Sequence, residues 1–151
     1  SGNEAVQGER IVLTGRITDG DGALVVDALV EIWQAGPDGR YEEGFHGFGR
    51  CATDDKGEFR FTTLKPGPVP GRGNTMQAPH IQIAIFARGL MQHVVTRAYF
   101  AGEALNATDP VLTLVEDPAR RATLIARPDG DGAWRLDIRF QGDGETVFLD
   151  V

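Results

Sequence analysis

The chain has 151 residues, 41% hydrophobic and 25% charged, the makeup of one soluble domain spanning 1–151 with a sizeable core and no room for a second domain. Fifteen Lys and Arg stand against twenty-two Asp and Glu, and the resulting charge of −7 repels phosphates, which excludes a nucleic-acid surface. No apolar run approaches the ~20 residues of a membrane span and the start has no secretory-leader pattern, so no membrane partner and a cytoplasmic address are expected, while the single cysteine, Cys51, excludes an internal disulfide.

The first expected strand covers 10–18, where apolar and polar residues alternate. A turn at Asp19-Gly20-Asp21-Gly22 leads to a second strand at 28–34. After the glycine-rich loop 39–49 come a short strand at 50–53, where Cys51 reads as a small buried hydrophobe, a turn at 54–57, and a strand in which Phe59 and Phe61 alternate with Glu58, Arg60 and Thr62. Strands at 80–87 and 94–100 follow. Asp117-Pro118 then opens a short surface helix over 117–125, with a capping carboxylate and proline at the first helical position. Trp134, Leu136, Ile138 and Phe140 alternate with Arg135, Asp137, Arg139 and Gln141, which predicts another strand, and a last one is expected at 146–149. Short, evenly spaced strands of this kind predict an all-β chain: a β-sandwich of two packed antiparallel sheets with one short surface helix.

Three acidic turns, 19–22, 54–57 and 129–132, superficially match calcium loops. A helix-loop-helix calcium site needs a bidentate acid about six residues beyond its glycine and flanking helices, whereas these turns join strands. Asp and Gly supply the backbone angles that tight hairpins require, so the turns read as turns.

The stretch Ala78-Pro79-His80-Ile81-Gln82-Ile83-Ala84-Ile85-Phe86-Ala87-Arg88 carries the most information. Alternation on a strand sends Ile81, Ile83 and Ile85 into the core and puts His80, Gln82, Ala84, Phe86 and Arg88 on the opposite face. Together with Glu31-Ile32-Trp33-Gln34-Ala35, Gly49-Arg50-Cys51-Ala52-Thr53-Asp54, Lys65-Pro66-Gly67-Pro68 and Arg139-Phe140-Gln141-Gly142, in that order, it resembles the intradiol ring-cleavage dioxygenases from about Leu13 to the C-terminus. Catalytic chains of that family hold ferric iron with two tyrosines and two histidines. The second histidine position is Gln82 here, the tyrosine position after Lys-Pro-Gly-Pro is Val69, and the loop 39–49 is short compared with the one that supplies the other tyrosine. Of the four ligand positions only His80 survives.

What the resemblance implies is a non-catalytic chain of a two-chain enzyme, with no catalytic residue and no metal of its own. The ferric iron would be carried by a homologous partner chain in a hetero-oligomer. That partner would open a small aromatic diol between its hydroxyl-bearing carbons with dioxygen. Chains of this type carry an N-terminal arm of some tens of residues, and the sequence here starts close to its first expected strand. Phe86-Ala87-Arg88-Gly89 resembles a motif whose arginine faces the substrate carboxylate at the mouth of the partner's pocket. A planar guanidinium suits a carboxylate through two parallel charge-assisted hydrogen bonds, so Arg88 is the expected substrate-binding residue. At eight positions beyond His80, about 26 Å along an extended strand, it cannot serve a site centred there.

Alternatives stand beside this reading. One is a free-standing prealbumin-like binding module; another is an independent iron enzyme using Tyr41, Tyr99 and His80, with Tyr99 far along the sequence. Arg88 reads equally as an interface ion pair or a solvated side chain. His46 reads as a solvated or packing residue of its loop, and His93, at the start of a strand, as a structural hydrogen-bonding residue.

Overall fold

In the computed structural model residues 7–41, 47–90 and 92–150 are described. Eleven strands account for most of the regular structure: β1 (Arg10–Thr18), β2 (Leu29–Gln34), β3 (Phe48–Ala52), β4 (Glu58–Leu64), β5 (Val69–Pro70), β6 (Met76–Gln77), β7 (His80–Phe86), β8 (Val94–Phe100), β9 (Ile125–Pro128), β10 (Ala133–Arg135) and β11 (Ile138–Arg139). The helix α1 (Pro118–Ala122) starts as the sequence predicts: the Asp117 carboxylate accepts the Ala119 amide at 2.9 Å, and Pro118 occupies the first turn. Two 3₁₀ turns, Ala104–Ala107 and Leu112–Leu114, were not anticipated.

The strands form one nearly closed hydrogen-bonded path, β11-β1-β10-β9-β8-β7-β2-β3, with β4 pairing to β1 and a separate ribbon of β5 and β6. All-antiparallel pairing, as expected from the sequence, requires correction. β1 runs parallel to both β10 and β11, and β8 runs parallel to β9. The strand β9 starts at Ile125, the last residue of the helix expected over 117–125, because α1 already ends at Ala122. It joins the two halves of the path, pairing with β10 on one side and β8 on the other.

One core lies within the path. Ile11, Leu13 and Ile17 of β1 and Phe59 and Phe61 of β4 meet Val30 and Ile32 of β2, Ile81, Ile83 and Ile85 of β7, and Phe100 of β8. The period of two in these segments is the direct consequence of each strand burying one face. A smaller cluster of Ala78, Tyr99, Leu112 and Leu124 packs against the outer side of β8.

The expected strand at 134–141 is broken at Leu136 and Asp137, where it runs parallel to β1 beside Gly15 and Arg16. A Cβ at Gly15 would lie 1.9 Å from the Leu136 carbonyl oxygen and 2.5 Å from the Phe59 ring, so only glycine allows that approach. Beyond it, the Asp137 carboxylate rather than a backbone carbonyl accepts the Arg16 amide at 2.9 Å, and the ladder resumes with β11. The expected strand at 146–149 reduces to a bridge between Val95 and Leu149. The Thr146 amide donates to the Arg139 carbonyl, and both backbone groups of Val147 pair with side chains: Thr96 Oγ1 donates to its carbonyl and Thr123 Oγ1 accepts its amide.

The acidic turns are built as the sequence indicates. Asp19 Oδ1 accepts the amides of Asp21 and Ala23, and Asp54 Oδ1 those of Lys56 and Glu58, each at 2.9 Å. Cys51 is half-buried on β3 against the core.

Candidate functional site

His80 opens β7, and the register of the β7–β8 ladder places it opposite Tyr99. Distance along the sequence concealed this neighbour. The two rings lie 5.2 Å apart, and both side chains are buried. The Ala78 carbonyl is 2.8 Å from His80 Nδ1, and because a carbonyl only accepts, Nδ1 carries the proton and Nε2 the lone pair. Burial first, and then the charge of Arg97, hold the imidazole well below its ordinary value, at about 4, although the Ala78 hydrogen bond and Asp109 act the other way.

Tyr99 is held from both sides. Its hydroxyl donates to Asp109 Oδ1 at 2.9 Å and accepts from Arg97 Nη1 at 2.8 Å. The same nitrogen donates to Gln77 Oε1 at 3.1 Å. Burial pushes the phenol upward, Asp109 adds to that, and Arg97 opposes it. Asp109 is wholly buried. Besides the phenol, its carboxylate accepts the amides of Ala78 at 2.8 Å, Val111 at 2.8 Å and Leu112 at 3.0 Å, tying the 3₁₀ turn to the start of β7.

The other ligand positions supply no metal donor of the right kind. Val69 sits on the β5–β6 ribbon opposite Gln77. Gln82 lies between Trp33 and Arg97 in a row across the sheet. Tyr41 is 59% exposed and stacks on Trp33 with ring centroids 6.2 Å apart, outside the Tyr99 network. His80 Nε2 keeps the free lone pair that ferric iron needs, but the phenol beside it is protonated, bonded to a carboxylate and faced by a guanidinium, so the network supplies no anionic phenolate and does not fit ferric iron. Tyr41, Tyr99 and His80 therefore do not make an independent iron centre. His46 lies outside the described residues.

Arg88 occupies a different place. The strand β7 ends at Phe86, so Arg88 is in the turn rather than on the strand face shared with His80, a correction to the expected 80–87 strand and its continuation. The turn closes through the Leu90 amide and Ala87 carbonyl at 3.2 Å, and Gly89 has φ 84°, an angle that favours glycine. Arg88 is exposed and makes no hydrogen bond or ion pair among the described residues. Beside it Phe86, Ala87, Leu90, Gln92 and His93 line a cleft of about 400 Å³. His93 meets Phe86 by a ring stack at 4.8 Å rather than by the hydrogen bond expected of it.

Lys65, the first residue of Lys-Pro-Gly-Pro, is fixed by Glu103 at 2.8 Å and lies over the Phe100 and Trp134 rings at 5.3 and 5.4 Å. Gly67 of that motif lies against the loop at Pro37, whose carbonyl oxygen would be 2.4 Å from an added Cβ. Sequence reasoning missed Arg97, Gln77 and Asp109. Arg97 had a signal, since it shares the outer face of β8 with Tyr99 by strand alternation. Asp109-Pro110 signalled only a turn.

The family described as Dioxygenase matches residues 2–141. The chain is 50% identical over 154 residues to the protocatechuate 3,4-dioxygenase alpha chain of Pseudomonas putida, covering 95% of this chain and 77% of that one. This chain belongs to the intradiol dioxygenase family. A second intradiol dioxygenase relative, the protocatechuate 3,4-dioxygenase beta chain of Burkholderia cepacia, is 40% identical over 92% of this chain and 67% of its own length. Among solved structures, the dioxygenase domain of a carbohydrate-binding fusion from Streptomyces sp. SirexAA-E superposes with a TM-score of 0.71 at 27% identity, over 93% of this chain and 82% of that one. Membership of the intradiol dioxygenases stands against a free-standing prealbumin-like module. No helix among the described residues is long and apolar enough to cross a membrane.

Proposed function

We propose that this chain is the non-catalytic alpha subunit of a cytoplasmic protocatechuate 3,4-dioxygenase, a single β-sandwich domain that pairs with a homologous beta chain carrying ferric iron. The assembled enzyme cleaves 3,4-dihydroxybenzoate between its hydroxyl-bearing carbons, places both atoms of dioxygen in the product, and yields 3-carboxy-cis,cis-muconate. The observation that carries this reading is the Tyr99 phenol beside His80: it donates to Asp109 and accepts from Arg97, which leaves the His80 imidazole without a phenolate companion. Relatives named as separate alpha and beta chains support the pairing.

This chain's contribution to the reaction is to bind and orient. Arg88, projecting from the β7–β8 turn without an intramolecular partner among the described residues, is free to accept the substrate carboxylate across the subunit boundary. The carboxylate lies on the ring remote from the diol, so a guanidinium there fixes the ring's direction without touching the reacting carbons. Arg88→Ala in the assembled enzyme is expected to weaken 3,4-dihydroxybenzoate by about 1.5 to 3 kcal/mol in kcat/KM and to leave plain catechol nearly unaffected. Equal losses on both substrates, or an unchanged ratio in a complex shown intact by sizing, would remove Arg88 from the substrate site.

A further inference from the structure

The β7–β8 ladder ends at the pair Ile85 and Val94, so no ladder pair joins the two strands between that point and Arg88. The next contact across the hairpin is the stack of Phe86 and His93, with centroids 4.8 Å apart and planes 26° from parallel. Phe86 is itself held on its far side by pairing with Leu29 of β2. Ala87 and Val94 pack against the core. His93 is outside every ladder, and beyond the last ladder pair its ring joins the two arms of the hairpin. Above this stack the turn that carries Arg88 closes between Ala87 and Leu90, with Gly89 at a positive φ.

We propose that His93 is a positioning residue for Arg88: stacked on Phe86, it holds the hairpin stem so that the Arg88 guanidinium meets a substrate carboxylate in one orientation. The inference rests on the reading of Arg88 as the carboxylate-binding residue. An arginine side chain has considerable rotamer freedom, and bidentate recognition demands a defined approach of the planar fork. Removing the ring opens the stem beside the existing cleft and lets the turn pivot, which costs the carboxylate contact and nothing at the diol end of the substrate.

The test uses the assembled enzyme with its iron-bearing chain and compares kcat/KM for 3,4-dihydroxybenzoate with kcat/KM for catechol. His93→Ala is expected to lower that ratio about two- to tenfold, the span of an aromatic stacking interaction, while His93→Phe, which keeps a ring, holds it within about twofold. In an Arg88→Ala background His93→Ala should produce no further change in the ratio, because the residue it positions is gone. Circular dichroism and sizing confirm fold and assembly for each variant. If Arg88→Ala lowers the ratio and His93→Ala does not, the positioning role of His93 falls and the Arg88 reading stands. The inference is also overturned if His93→Phe behaves like His93→Ala, or if His93→Ala still lowers the ratio without Arg88. If Arg88→Ala itself leaves the ratio unchanged, the reading of Arg88 falls and this inference with it.

Discussion

The Arg97 guanidinium donates to the Tyr99 hydroxyl at 2.8 Å, on the sheet face from which His80 also projects. A fixed positive charge thus occupies the neighbourhood in which a phenolate ligand would need a metal. The phenol donates its hydrogen bond to Asp109, so its hydroxyl is occupied from both sides, while Arg97 Nε on the same guanidinium is buried without a partner among the described residues.

Ferric iron should therefore not load onto this chain. Purified without its partner, it should show no visible absorption from iron-bound tyrosinate and well under about 0.1 iron atom per chain by elemental analysis, since one imidazole is too few ligands for a stable site. A coloured preparation with near-stoichiometric iron would contradict the proposed division of labour.

Asp109 should matter more to stability than Tyr99. Tyr99→Phe removes both hydrogen bonds of the phenol, to Asp109 and from Arg97, but leaves Asp109 its three amide donors, at an expected cost of about 2 kcal/mol. Asp109→Ala orphans the amides of Ala78, Val111 and Leu112 together with the phenol, and should cost about 3 kcal/mol or more. Denaturant unfolding of the two variants decides the order; equal effects would mean that the buried carboxylate does not organise the network.

His80 makes stability pH-dependent with a definite sign. Its folded value of about 4 lies below the ordinary 6.5, so between those values the unfolded chain binds the extra proton. Stability from this group is present in full above 6.5 and is lost as the pH falls toward 4, by at most about 3 kcal/mol. The difference in unfolding free energy between the wild type and His80→Gln should narrow across that window. An NMR titration in which the His80 ring protonates near 6.5 would refute it.

Gly15→Ala should destabilise severely. The new methyl would overlap the Leu136 carbonyl and the Phe59 ring, and neither backbone nor a core aromatic side chain can yield cheaply, so a loss of about 3 kcal/mol or more is expected from thermal or denaturant unfolding. A loss below about 1 kcal/mol would show that the packing of β1 at Gly15 is loose.

What the sequence by itself determined were the properties that each segment settles alone. The bounds of β1 follow from alternation, the start of α1 from Asp117-Pro118, and the turns from acidic residues and glycine, because face, cap and backbone angle depend only on residues within a few positions. The loss of ligand positions at Val69 and Gln82 was equally legible. Only the tertiary structure decided which polar groups meet. Tyr99 reaches His80 through ladder register, Asp109 reaches Tyr99 and the Ala78 amide from the 3₁₀ turn, and Arg97 enters with them. The break between β10 and β11 likewise arises beside β1, at a contact between Gly15 and Leu136 that has no local signature. Periodicity specifies which face of a strand is buried, whereas the neighbours across it depend on how distant strands pair, and that is set by packing of the whole core.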